Sequence, residues 1–279
     1  ILHKANWRKY MKVVLLAGGL GSRLAEETKI KPKPMVKIGE KPIIEHIMRW
    51  YMSFGYCEFI ICLGYKGSQI IDYFKNYHLR NSTITIDNNG KLETLEHKVQ
   101  PWKIILAQTG IKTQTAGRIK KIKKFLKKDE NFFMTYGDGL SDINLNKLYR
   151  FHNKNKKLAT LTAVKPLPRF GALKLNDFNN VTDFNEKPIS EGGWINGGFF
   201  VLSEKVIDYI KSYDEAWEHG PLKRLVNKDQ LMAYKHNGFW QPMDTLREKN
   251  ILCELWKNNS APWKVINNKR KIIPFKKVI

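Results

Sequence analysis

The stretch MKVVLLAGGLGSRLAEETKIKPKP, residues 11–34, decides how this chain is read. Val13-Val14-Leu15-Leu16-Ala17 is a short apolar run that ends at Gly18, Gly19 and Gly21. A run of this length bounded by glycine reads as a buried parallel strand. The glycines let the backbone come close to a ligand, with N–H groups able to meet an anion or the edge of a base. Arg23 follows, and then Lys31-Pro32-Lys33-Pro34, where the prolines fix φ and discourage helix. A strand, a glycine loop and three cations on a stiff tether suit the binding of several phosphates. The loop matches neither common nucleotide fingerprint. GxGxxG needs glycine where Leu24 stands, and the phosphate loop GxxxxGK followed by Ser or Thr is absent.

Downstream, Ile44, Ile47, Met48, Tyr51 and Phe54 recur at helical spacing and predict a helix over 41–54 that packs on a sheet. Cys57 to Leu63 reads as a second buried strand and Ser68 to Tyr77 as a further helix. This alternation predicts a doubly wound α/β core with right-handed connections. Thr83 to Asp87 and Leu92 to His97 flank Asn88-Asn89-Gly90, a hairpin signal. Ile104 to Gln108 is another strand. A polar loop through Thr113, Gln114, Thr115, Ala116 and Gly117 then leads to a basic helix expected from Arg118 to Lys128. That loop is either a helix entry contacting an anion or base, or an ordinary loop capped by Thr115.

The strand Asn131 to Tyr136 ends in Gly137-Asp138-Gly139. The C-terminal end of a strand is where open α/β sheets place ligands, although a turn also accepts aspartate. A helix over 144–155 and strands over 158–164, 181–184 and 194–201 follow, with a short strand opened by Gly171. The paired Gly197-Gly198 mark close approach of another group. Lys187 suits a phosphate monoester as a point charge, and is otherwise a solvated lysine. Ser203 is placed to cap a helix to Lys211. Pro221 to Asn227 reads as helix and Leu231 to Lys235 as strand. Asp244 opens a helix to Trp256, as its cap or as a ligand.

The chain of 279 residues is long enough for one large domain, and 42% hydrophobic residues supply a core. Residues 1–10 are read as an N-terminal extension, 11–266 as the working domain, and 267–279 as a basic tail without periodicity. No run approaches the roughly 20 apolar residues of a membrane helix, and residues 1–10 lack the apolar core of a secretory signal. Cys57, Cys62 and Cys253 have no metal spacing and read as buried thiols in a reducing cytoplasm. The net charge of +23 invites a nucleic-acid reading. The lysines, however, are spread over the whole chain, so neither nucleic acid nor membrane is expected as a partner. The charge would still concentrate anionic substrates near the protein.

These residues point to phosphate chemistry. There is no convincing Ser/His/Asp set or cysteine nucleophile. Asp138 and Asp244 would hold Mg²⁺ if the fold brings them together, since that ion takes one or two carboxylates with phosphate oxygens and water. The reaction class that fits is nucleotidyl transfer. A phosphate monoester, with a second pKa of about 6, is already an anionic nucleophile and needs no general base. Alignment and charge stabilisation are what the protein must supply.

LAGGLGSRL, EETKIKPKPMV, GYKG, YGDG, RFGAL, EKP, INGGFFVL and APWK resemble the sugar-1-phosphate nucleotidyltransferase family, and VQPW and HNGFWQPMDTLR are similar to its cytidylyl branch. The resemblance implies a Rossmann-like, doubly wound mixed sheet of the GT-A-like kind with a small additional β region. It implies CTP and glucose 1-phosphate as partners, CDP-glucose as product for deoxysugars of surface polysaccharides, and a cytoplasmic homo-oligomer, a hexamer. It also implies roles. Leu16, Ala17, Gly18, Gly19, Leu20, Gly21, Ser22 and Arg23 would wrap the nucleotide, with Thr113, Arg118 and Gly137. Arg23 and Lys33 would neutralise the triphosphate, and together with Asp138 they form the catalytic set. Asp138 and Asp244 would bind the metal. Gly171, Glu186, Lys187 and Asn196 would bind the sugar phosphate. Two positions depart from the family pattern. Ser22 replaces threonine and keeps a hydroxyl. Ala116 replaces glycine, and its methyl would either restrict φ or narrow the approach to the nucleotide.

Overall fold

The computed structural model describes residues 11–97, 100–128, 130–166, 172–178, 180–185, 193–266 and 269–270. At its centre is a seven-stranded sheet. Its strands lie in the order Leu231–His236, Ala159–Val164, Ile195–Ser203, Asn131–Tyr136, Val13–Leu16, Glu58–Leu63, Lys103–Gln108. The strand Val13–Leu16 is parallel to both neighbours, with Val14 opposite Ile60 and Met134. Ile195–Ser203 runs antiparallel to both of its own neighbours, which makes the sheet mixed.

The apolar runs are continuous because both faces are covered. Val13, Leu15, Phe59 and Ile61 enter one core cluster with Ile47, Met48 and Tyr51 of the helix Ile43–Met52. Val14, Leu16, Ile60 and Cys62 enter a second cluster on the opposite face with Ile119 and Trp217. Alternation of side chains along a strand makes this division, and each large apolar side chain so buried contributes about 1.5–3 kcal/mol. The expected doubly wound α/β fold is therefore present. The hairpin of Ser82–Ile86 with Leu92–His97 is one of five two-stranded β pieces outside that sheet among the described residues.

Some expectations shift. The basic helix spans Thr115–Lys121, followed by a 3₁₀ turn at Lys123–Phe125, so Arg118 lies inside the helix rather than opening it. Backbone bonds from Gln114 N and Ala116 N to the carbonyls of Tyr213 and Glu215 fix the earlier start. Clustered like charges at helical spacing disfavour extension to Lys128. The predicted helix over 68–77 breaks at Asn76 into Gly67–Lys75 and Tyr77–Arg80. The element after Ser203 is a 3₁₀ helix, Glu204–Tyr209, which Ser203 does cap. Lys269–Arg270, expected to lack regular structure, pairs antiparallel with Val265–Ile266. A backbone ladder needs no side-chain periodicity. Of the three free cysteines only Cys62 is fully buried; Cys57 and Cys253 are half-buried. Among the described residues no helix is long and apolar enough to cross a membrane.

Candidate active site

The glycine loop emerges from the strand Val13–Leu16 and turns at Gly21, whose φ of 68° lies in the left-handed region that glycine adopts without strain. Thr28 Oγ1 donates to the Gly21 carbonyl at 3.0 Å and steadies the turn. Gly18 lies against Arg118: a Cβ there would sit 2.1 Å from Nη1. The buried Arg118 guanidinium donates from Nη1 to Leu63 O at 3.0 Å, Thr109 Oγ1 at 2.6 Å and Gly110 O at 2.9 Å. Its Nη2 donates to Gly18 O at 2.9 Å. Arg118 thus lines the cleft, but these N–H groups hold backbone and hydroxyl oxygens and bind the loop to two neighbouring crossovers. Burial lowers its pKa, although arginine stays charged at any ordinary pH.

Arg23, Lys33, Asp138 and Asp244 meet on the other side of the loop. Lys33 Nζ donates to Asp138 Oδ2 at 2.7 Å and also to Asp244 Oδ1. Arg23 Nη1 pairs with Asp244 Oδ2 at 2.7 Å. The Lys33 side chain is only 9% exposed. Burial opposes its charge, but Asp138 and then Asp244 outweigh it and raise its pKa. The two aspartates are brought together by a short antiparallel ladder, in which Trp240–Pro242 pairs with Gly139–Ser141. Asp138 precedes one strand and Asp244 follows the other, and Met243 N donates to Asp138 O at 2.8 Å. Asp244 does not cap its helix. Thr245 does, in a capping box with Glu248, and the Asp244 carboxylate is left to face the cations.

Two adjoining clefts share Arg23, Tyr136 and Asp138. The first, about 260 Å³, is lined by Leu16 to Gly19, Gly21, Ser22, Lys33, Thr113, Arg118 and Gly137. Leu20 is 59% exposed and is not among the residues that line it. The second, about 330 Å³, is lined by Asn196, Gly197, Gly198, Glu218, Trp240 and Asp244. Asn196 Oδ1 accepts from Gly198 N at 2.9 Å. Gly171, Glu186 and Lys187 lie outside the described residues. Ala116 is fully buried in the core on the far face of its helix and does not line the cleft, which corrects the expectation that its methyl narrows the nucleotide approach. Sequence reasoning did not single out Tyr136, Glu218 or Trp240. Trp240 sits inside the FWQPMDT string, but nothing local marks Glu218.

The nucleotidyl transferase family model matches residues 12–245. The chain belongs to this family. Glucose-1-phosphate cytidylyltransferase of Salmonella typhimurium (strain LT2) is 49% identical over 91% of this chain and 99% of its own length. A probable glucose-1-phosphate cytidylyltransferase of Bacillus subtilis (strain 168) is 42% identical over 91% of this chain and all of its own. The solved UDP-glucose pyrophosphorylase from Acinetobacter baumanii superposes with a TM-score of 0.62 at 18% identity, covering 87% of this chain and 92% of that one, a likeness of fold. The nucleotidyltransferase family generally uses a divalent metal, and the donor set here fits one. Two carboxylates converge on a single cationic atom at the seam of two clefts with room for phosphate oxygens and water. Among the described residues no group of three or more His, Cys, Asp or Glu side chains would enclose a metal without such a ligand.

Proposed function

We infer that the protein is a glucose-1-phosphate cytidylyltransferase: it transfers CMP from CTP to glucose 1-phosphate and releases pyrophosphate and CDP-glucose. The observation that carries this reading is the seam where the two clefts share Arg23, Tyr136 and Asp138. Nucleotidyl transfer needs two polyanions held in line at one phosphorus, and such a seam is where they would meet. The relatives at 49% and 42% identity support the choice of cytidine and glucose.

In this reading the first cleft takes CTP along the loop 16–23, with Gly137 beside the ribose and Thr113, which lines the same cleft, as a further nucleotide contact. Arg118 acts by holding the Gly18 carbonyl in place. Arg23 and Lys33 neutralise the triphosphate, Lys33 from a buried position that keeps it oriented. The second cleft takes glucose 1-phosphate near Asn196, and Gly171, Glu186 and Lys187 are proposed as further contacts. The sugar phosphate attacks as an anion, so no side chain is needed to remove a proton; preorganised positive charge stabilises the developing oxyanions. Asp138 and Asp244 would hold Mg²⁺, which when bound supplies charge neutralisation of the phosphates. The proposal extends to a cytoplasmic homohexamer supplying deoxysugar precursors for surface polysaccharide, for which the family resemblance is the support.

The test is pyrophosphate release by the purified chain with glucose 1-phosphate and each of CTP, UTP, dTTP, GTP and ATP. CTP should give the highest kcat/KM, and release should cease on chelation and return with Mg²⁺. A preference for UTP or dTTP would replace the cytidylyl assignment.

A further inference from the structure

The carboxylate of Glu218 stands in the wall of the second cleft. It belongs to the loop between the 3₁₀ helix Glu204–Tyr209 and the helix Pro221–Asn227. Both of its oxygens are held from the side. Tyr136 Oη donates to Oε1, and Thr115 Oγ1 donates to Oε2 at 3.2 Å. Thr115 Oγ1 in turn accepts from Trp217 N at 2.7 Å. The carboxylate therefore has a fixed orientation.

Among the described residues no cation forms an ion pair with Glu218. This is a costly choice in a cleft that receives a phosphate ester, because like charges repel. The cost makes sense if the carboxylate faces the neutral end of the ligand. A carboxylate offers about four lone-pair sites, and two donors leave capacity for hydroxyl groups. Trp240 lines the same cleft, and its Nε1 donates to Gly197 O at 2.7 Å. An indole with its N–H already satisfied offers an apolar face to the C–H side of a sugar ring. A fixed carboxylate with no cation paired to it among the described residues, in one cleft with an aromatic face, is a hydroxyl-recognition arrangement, whereas the seam at Arg23 and Asp138 is a phosphate arrangement.

We propose that Glu218, oriented by Tyr136 and Thr115, accepts hydrogen bonds from sugar hydroxyls and sets the sugar specificity of the second cleft. This rests on the assignment of that cleft to the sugar phosphate. Thr115 also lines the first cleft, so the same hydroxyl ties the nucleotide wall to the sugar wall. Tyr136 and Thr115 are positioning residues in this scheme.

The experiment measures kcat/KM with CTP for glucose 1-phosphate and its 2-, 3-, 4- and 6-deoxy analogues, in the wild type, Glu218→Ala, Glu218→Gln and Tyr136→Phe. Thermal melts confirm folding, and Glu218→Gln is read if Glu218→Ala fails to fold. The wild type should discriminate against at least one deoxy analogue. Glu218→Ala should lose about 10- to 100-fold on glucose 1-phosphate, the worth of a hydrogen bond to a charged group. It should lose little on that analogue, so the discrimination ratio collapses, while KM for CTP stays within about twofold. Tyr136→Phe should lower the ratio less, because Thr115 still holds the carboxylate. Equal losses on every sugar, an effect confined to CTP, or an unchanged ratio would each overturn the proposal. If the wild type turns over a different nucleotide or sugar phosphate, the activity assignment fails by itself, and Glu218 is judged with deoxy analogues of the accepted sugar.

Discussion

Arg118→Lys separates shaping the loop from touching the nucleotide. The guanidinium spans two groups of acceptors: Leu63 O, Thr109 Oγ1 and Gly110 O from Nη1, and Gly18 O from Nη2. A lysine ammonium is a single point with three donors and cannot occupy both positions of the fork. At least the Gly18 carbonyl, and one acceptor of the other group, then lose a charged donor while buried. Gly18 O keeps its bond from Tyr65 N at 3.2 Å, so what is lost is two bonds to a charged donor, each worth about 1.5–3 kcal/mol, which gives a loss of about 3–6 kcal/mol in unfolding free energy, a large part of the ~5–15 kcal/mol of an ordinary domain. The Gly18 carbonyl belongs to the loop that would wrap CTP, so KM for CTP should rise as the loop relaxes. Urea unfolding followed by circular dichroism, with initial rates on the same preparations, reads both effects. A variant within about 0.5 kcal/mol of wild type whose KM for CTP nonetheless rises would show that Arg118 contacts the nucleotide directly. The shaping argument would then be wrong.

Three further tests follow from the geometry. Asp138→Asn keeps the shape but removes charge from the paired carboxylates; turnover should fall by about 100-fold or more with the melt little changed, since Lys33 keeps Asp244, and near-normal turnover would contradict the assignment. Gly18→Ala places a methyl 2.1 Å from Arg118 Nη1, whereas Gly19→Ala meets nothing within 4 Å; thermal melts should therefore show the first destabilised and the second close to wild type, and equal melts would refute the packing. His46 and His152 are buried, and burial lowers both pKa values from 6.5 to about 4. The unfolded chain takes up those protons first as pH falls, so stability is full above pH 6.5 and declines toward pH 4, by up to about 3 kcal/mol per histidine. Urea midpoints at pH 7.5 and 5.0 should differ accordingly, with a smaller difference in His152→Gln; a flat profile would show that neither ring is desolvated as described.

Much of this was legible in the chain itself. Continuous apolar runs such as Val13–Leu16 and Glu58–Leu63 announced strands covered on both faces, because a strand exposed on one face would alternate. The glycine loop, with Arg23 and Lys33 close behind it, announced a cleft where cations and bare backbone gather, because both lay within one short segment. Periodicity and local composition carry such features, which depend only on residues near in sequence.

Local sequence left several matters open, and only the tertiary structure decided them. Whether Asp244 capped a helix or faced a ligand turned on Thr245 and Glu248 taking the cap. Whether Asp138 and Asp244 met depended on a three-residue ladder between distant segments, too short to leave a pattern. Arg118, expected to contact the nucleotide, is surrounded by backbone and hydroxyl oxygens in the fold, and Ala116, expected near the nucleotide, lies in the core. Glu218 gave no sign at all, since its position depends on donors from Tyr136 and Thr115 in other parts of the chain. The sequence determines which segments fold and which charges are available. The packing of elements distant in the chain determines which of those charges face each other, because that proximity is a property of the folded backbone and not of neighbouring residues.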